Sequence, residues 1–357
     1  MHKTPLFASH VAGGADMDTF GDWLLPAAFG TDRDAAVAAE IAAVRAGCGI
    51  TDLAATSLIA AEGEELRRWL NGMFTNKYID MEPGQGARSV IVDDRGRVQG
   101  LVDWYALTEH RFLGVLEGVD ADWFRDRFQM FLMLDDIDVE ALDDLSLLHL
   151  AGPGTDAVLA ALHLPVPPAD HAHQAVGDDP AALHGTIRVL RRDRVGLGGA
   201  DLVVPKEVLD STWGAAVAAG ATPTGFLAMD ALRIFAGRPA WPQDGTDKSM
   251  VHELRYNEDC VSFTKGCYLG QETINRIERR GGVRKKITRL LLAEDALPPV
   301  GATVFRDGQE VGRLTSAARI DGQVWALATL REGCWDDGVR VEVRAGDRSV
   351  DATVHPA

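Results

Sequence analysis

The chain has 357 residues, of which 46% are hydrophobic and 25% charged, a soluble composition with apolar mass for two or three cores. A formal charge of -17 excludes broad binding to DNA or to an anionic membrane and leaves room only for a local basic site. The four cysteines, Cys48, Cys260, Cys267 and Cys334, are scattered and form no CxxC pair, so neither a disulfide framework nor a self-contained metal site is expected.

The N-terminal stretch lacks a continuous apolar segment, and no run of about 18 apolar residues occurs. The reading is a cytoplasmic protein with no signal peptide and no membrane span. Residues 32–46 (DRDAAVAAEIAAVRA) predict a helix that ends near Gly47 and Gly49. Residues 62–74 predict a second helix, with Leu66, Trp69, Leu70 and Met73 at helical spacing. Residues 87–102 predict a hairpin turning at Asp94-Arg95-Gly96. A strand over 111–116 and an amphipathic helix over 120–134 follow. Residues 163–180 hold four prolines and read as a surface loop, with His171 and His173 solvated rather than paired on a metal. Residues 208–219 and 224–236 predict two more helices, the second stopped by Gly237. From Lys286 onward, short β-like segments with glycine turns predict a small barrel or sandwich. Strands and helices arrive in runs, which predicts α+β rather than a wound parallel sheet.

Three features carry chemistry. The first is Lys265-Gly266-Cys267-Tyr268-Leu269-Gly270-Gln271-Glu272. Gly266 and Gly270 flank the cysteine and permit turns or close approaches that side chains would block. Residues 271–280 have helix-forming composition, so Cys267 should sit just ahead of a helix N-terminus. That position, with Lys265 close by, favours a thiolate. Its roles could be a soft metal or cluster ligand, a nucleophile or redox thiol, or an inert buried cysteine. The second feature is a basic run: Arg276, Arg279, Arg280, Arg284, Lys285, Lys286 and Arg289. It reads as a solvated helix end or as an anion site, RNA being the weaker option for want of interleaved aromatics. The third is Asp230 and Arg233, three apart on one helical face, either a local ion pair or a binding pair.

The KGCYLGQE stretch resembles the K-G-C-[FY]-x-G-Q-E signature of the YgfZ-type folate-binding proteins of iron–sulfur cluster assembly and repair. Those proteins share a superfamily with the T-protein, the aminomethyltransferase of the glycine cleavage system. The opening TPLFASHVAGGADMDTFGDWLLP, Gly49 to Leu53, Asn71 with Thr75-Asn76, Met229 to Arg233, and Val311 to Ser316 also resemble that superfamily. The resemblance implies a three-domain, cloverleaf-like T-protein fold with a C-terminal β-barrel. It would run as 1–50 with 146–245, then 51–145, a motif segment and linker at 246–284, and a barrel at 285–357. It also implies tetrahydrofolate, polyglutamylated or not, as cofactor. Tyr105, Asp230, Arg233, Lys265, Gly266, Gln271 and Glu272 would be cofactor-binding, and Cys267 would be the functional thiol. The implied partners are iron–sulfur assembly or client proteins. One cysteine cannot hold a cluster alone, so any cluster would be transient and shared with a partner.

The chain departs from the T-protein pattern at the residues its chemistry uses. Leu101 stands where an aspartate assists methylene transfer, and Asp103 two residues on is the substitute candidate, on the same strand face. Leu197 replaces a pterin-gripping glutamate, Glu117 replaces an asparagine, and Phe235 stands where a glutamate is common. The main expectation is therefore a tetrahydrofolate-binding accessory protein of iron–sulfur assembly. The alternatives are a tetrahydrofolate-dependent one-carbon transferase with Asp103 as base, and a diverged member with another ligand.

Overall fold

The computed structural model describes residues 1–294 and 296–356. They form two compact units. One comprises Met1–Gly72, Asn76–Ser89 and Leu101–Met229; the other comprises Met73–Thr75, Val90–Gly100 and the chain from Asp230 onward.

The first unit contains a six-stranded sheet. Its order is His173–Ala175, Arg188–Arg191, Gly199–Pro205, Leu145–Ala151, Gly49–Asp52 and Thr222–Pro223. All neighbours are antiparallel except the last pair. Ile50, Leu148, Leu150 and Leu202 bury their side chains with Leu159 and Trp213 from two helices. Helix Arg33–Ala46 begins where the sequence places it, because Asp32 accepts a hydrogen bond from the Ala35 amide at 3.2 Å. Asp120 caps helix Ala121–Leu134 in the same way, through the Trp123 amide.

A second sheet in this unit centres on Ser57–Glu62, flanked by Arg111–Glu117 and Asp138–Ala141. Leu101 to Ala106 pair with Arg111–Glu117, with Leu101 opposite Glu117 and Asp103 opposite Val115. Trp69 packs edge-on against Phe124 and Phe128 above it. The helix expected over 62–74 starts only at Leu66, because Glu62 is held in the ladder opposite Arg111. The segment expected as a solvated loop over 163–180 is also different. His173–Ala175 joins the sheet edge and His173 is buried.

In the second unit, six strands close a barrel in the order Lys285–Leu292, Gln323–Arg331, Gln309–Ile320, Thr303–Arg306, Arg340–Ala345 and Arg348–Val354. The interior is aliphatic, with Leu290, Val304, Leu314, Val324 and Val354 fully or almost fully buried. Closure leaves no free sheet edge. The motif helix, Gln271–Arg279, precedes the barrel.

Candidate functional site

In the first unit the strand bearing Leu101, Asp103 and Tyr105 presents alternate residues to one face, and Glu117 joins that face from the neighbouring strand. The Asp103 carboxylate is fully buried and accepts from Arg88 Nη1 at 2.7 Å and from His171 Nε2 at 3.2 Å, with Arg192 Nε at 3.5 Å. Arg88 also grips Glu117, as does Arg194. Arg194 then clasps Asp201 through two nitrogens, at 3.0 and 2.8 Å. Asp201 lies opposite His149 in the sheet and bonds its Nδ1 at 2.8 Å. At the other end His171 contacts Asp170 at 3.1 Å.

Three carboxylates therefore meet three guanidinium groups in one buried network. Burial raises each carboxyl, and the arginines outweigh it. Arg192 and Arg88 hold Asp103 well below the usual range, Arg88 and Arg194 hold Glu117 at about 2, and Arg194 holds Asp201 low as well. Burial lowers His171, but Asp103 and Asp170 raise it above its ordinary value. Burial lowers His149 below its own. A carboxylate so depressed and so engaged is a weak proton acceptor at neutral pH. Leu101 is buried and apolar. Tyr105 is buried beside His171, with ring centroids 6.3 Å apart, and burial raises its phenol.

Sequence reasoning did not find Arg88, Arg192, Arg194, Asp201 or His149, and it treated His171 as solvated. One signal was available: the two histidines are two residues apart, the spacing of a strand rather than of an open loop.

Asp230 and Arg233 lie in the second unit. Arg233 donates from Nε to Asp230 at 2.6 Å, from Nη1 to Asp244 at 2.6 Å and to the Arg238 carbonyl at 3.1 Å, and from Nη2 to Ser316 at 2.9 Å. Asp244 also accepts from the hydroxyls of Thr315 and Ser316. The pair is a hub that fastens the helix end to a barrel strand.

The cysteine turn is the second cluster of that unit. Cys267 is exposed, whereas Cys48, Cys260 and Cys334 are buried. Gly270 has φ of +76°, and a Cβ there would fall 2.6 Å from the Asp93 carbonyl oxygen and 3.1 Å from Gly96. That glycine is required both by conformation and by contact. Gly266 is not: nothing lies within 4 Å of a Cβ built on it, and its φ is not positive. Lys265 turns away from solvent and donates to the Phe74 carbonyl at 2.5 Å, with its ammonium 4.8 Å above the Tyr268 ring. Burial lowers it to about 7. The expected fixed positive charge beside the thiol is thus a half-neutral anchor. Gln271 reaches back to the Gly266 carbonyl at 3.4 Å, and Glu272 is exposed in the first turn of the helix. Among the described residues, no three His, Cys, Asp or Glu side chains gather to hold a metal ion. Among them too, no helix is long and apolar enough to cross a membrane.

The family model for the GCVT N-terminal domain matches residues 6–262. The chain belongs to the GCVT-domain family. An aminomethyltransferase of Cupriavidus taiwanensis is 30% identical over 381 residues, covering 99% of this chain and 96% of the relative. One of Deinococcus deserti is 28% identical, over 96% and 93% of the two chains. The crystal structure of glycine cleavage system aminomethyltransferase T from Bartonella henselae superposes with a TM-score of 0.89 at 21% identity, over 99% of this chain and 96% of that one. That likeness establishes the GCVT-type mixed α/β fold with its closed C-terminal barrel.

Proposed function

We propose that this GCVT-domain protein binds a reduced folate and serves iron–sulfur cluster assembly or repair as a YgfZ-type accessory factor, through the thiol of Cys267. The observation that carries this reading is the cysteine turn: one exposed thiol among four, on a loop whose Gly270, Lys265 and Gln271 fix its shape. A structural cysteine would be buried, as the other three are. We assign Lys265, Gly266, Gln271 and Glu272 to shaping and flanking that turn, and Asp230 with Arg233 to fastening the end of their own helix to a barrel strand.

The residues of the first unit fit a folate in kind. The Tyr105 hydroxyl and His149 Nε2 are buried with no hydrogen-bond partner among the described residues, and a heterocycle with ring N–H and carbonyl groups would complete such atoms. A bound reduced folate would supply one-carbon carrier chemistry. Tyr105 and the ionic network would orient it, and Asp103 would act as a fixed charge rather than as a base. The clients would be iron–sulfur proteins in the cytoplasm, and any cluster would be passing cargo, because a lone thiol offers one ligand where a cluster takes four.

A second reading is favoured by the relatives, which match along nearly the whole chain and carry the name aminomethyltransferase. Folate-dependent one-carbon transfer would then be the activity. Against it stand Leu101 in the acid's position and the ion-paired state of Asp103. Two assays separate the readings: calorimetry with monoglutamyl tetrahydrofolate, and turnover of an aminomethylated lipoyl carrier protein. The accessory reading expects binding without turnover. Turnover that survives Cys267→Ser would overturn it in favour of the transferase, and absence of binding at millimolar folate would overturn both.

A further inference from the structure

The motif helix has one apolar edge and one cationic face. Ile274 is buried and Glu278 turns to His252 at 3.0 Å. On the other side Gln271, Glu272, Asn275, Arg276, Arg279 and Arg280 line a shallow groove of about 410 Å³. Arg276, Arg279 and Arg280 are exposed, as is Arg284 beyond the Gly281-Gly282 break, and none of the four forms an ion pair among the described residues. Arg88, Arg194 and Arg233, by contrast, sit in close ion pairs. Favourable interaction with the helix C-terminus accounts for cations in the last turn. It does not account for Arg276, Arg279 and Arg280 lining one groove with Glu272 as its single acid in a chain of net charge -17.

We propose that the Arg276, Arg279 and Arg280 face of this helix is a docking surface for an acidic segment of a partner protein, which it aligns so that the partner's reacting group arrives at Cys267. The inference rests on the proposed role of Cys267 and names the chemistry of the partner. Cys267 is exposed and lies three positions before Gly270, the residue that precedes the helix. The helix has nine residues, a length of about 14 Å, so about four extended residues of a ligand span the groove. The groove is polar along its length. Its far end is purely basic, while Glu272 stands at the end nearer the thiol. An acidic run therefore settles over Arg279 and Arg280, and an uncharged head projects toward Cys267. An acidic partner is repelled by the rest of this protein's charge, so the patch sets orientation as well as encounter rate. The open, shallow shape suits a protein segment better than an enclosed small molecule.

The test uses the full chain and two short peptides, each ending in a cysteine activated as a 2-thiopyridyl disulfide. One carries five glutamates before that cysteine, the other five serines. The Cys267 thiolate attacks the peptide sulfur, the new S–S bond forms, and pyridine-2-thiolate leaves and is protonated to the thione, whose absorbance counts the reaction one for one. At low salt the acidic peptide should react faster by on the order of tenfold. That advantage should vanish at high salt and in R276Q/R279Q/R280Q, with single variants such as R279Q giving partial loss if the triple variant folds poorly. Equal rates for both peptides on the unaltered protein, or an advantage that survives in the variants, would overturn the proposal. Calorimetry with pentaglutamyl and monoglutamyl tetrahydrofolate forms the second arm. If the variants lose only the pentaglutamyl advantage while the peptide rates stay unchanged, the face belongs to the folate tail and the proposal falls. Monoglutamyl folate binding and the cellular effect of Cys267→Ser do not involve these arginines, so the functional reading stands or falls separately.

Discussion

The two polar clusters of this protein solve opposite problems. The network of the first unit buries charge and cancels it: Asp103, Glu117 and Asp201 each sit against an arginine. The cysteine turn of the second unit keeps its thiol exposed and is anchored by a buried lysine lowered to about 7 and by two apposed glycines. A cancelled network gives orientation and specificity, and its carboxylates have little proton-transfer power because they titrate far below neutral pH. An exposed thiol on a fixed turn gives reactivity without a large cost to the fold. The proposed function accordingly assigns binding and reactivity to different clusters.

The comparison predicts unequal sensitivity to substitution. The largest effect belongs to the network. Arg194→Met leaves Glu117 and Asp201 buried against the remaining charges, and should cost roughly 3–5 kcal/mol, as removal of one partner of a buried pair does. Chemical denaturation of the variant checks this. A loss under 1 kcal/mol would mean that water, rather than the guanidinium, compensates those carboxylates.

Gly270→Ala comes next. It places a Cβ 2.6 Å from a carbonyl oxygen in a left-handed backbone conformation, and should cost roughly 2–3 kcal/mol. Gly266→Ala, with open space around it, should stay within about 0.5 kcal/mol. Equal effects at the two glycines would refute the assigned geometry of the turn.

Acidity and alkalinity should also act on different units. Glu117 is held at about 2, and Asp103 and Asp201 are depressed too. Their folded values lie below the unfolded ones of about 4, so the stability they supply is full above about pH 4 and is lost as pH falls toward 2. Lys265 runs the other way. Its folded value of about 7 lies below an unfolded value near 10.4, so the unfolded chain binds the extra proton between those limits and stability rises with pH across them. Melting curves from pH 2 to pH 10 should show the acid loss in the unmodified protein and in Lys265→Met alike. The alkaline rise should shrink only in Lys265→Met.

Much of the fold was legible in the sequence because its determinants are local. Asp32 and Asp120 cap the helices they precede, Gly96 turns a hairpin, and alternating aliphatics mark the barrel strands. The motif helix begins at Gln271, as its composition indicates. The ionic network was not legible. Its members run from Arg88 to Asp201, on separate strands and loops, and each in isolation looks like an ordinary surface charge. His171 was hidden for the same reason: only the pairing of His173–Ala175 draws its loop against Asp103. Nor could the sequence tell Gly266 from Gly270, because the difference lies in φ and in an approach by Asp93 from a distant hairpin.

A small expected effect on stability accompanies the largest on function. Cys267 is exposed, so Cys267→Ser should shift unfolding by less than about 1 kcal/mol. The most direct measurement is the activity of iron–sulfur enzymes in cells lacking this protein, complemented with the unaltered chain or with Cys267→Ser at matched abundance. The account predicts that the serine variant accumulates normally, binds tetrahydrofolate, and fails to restore those enzymes. Full restoration by Cys267→Ser would contradict it.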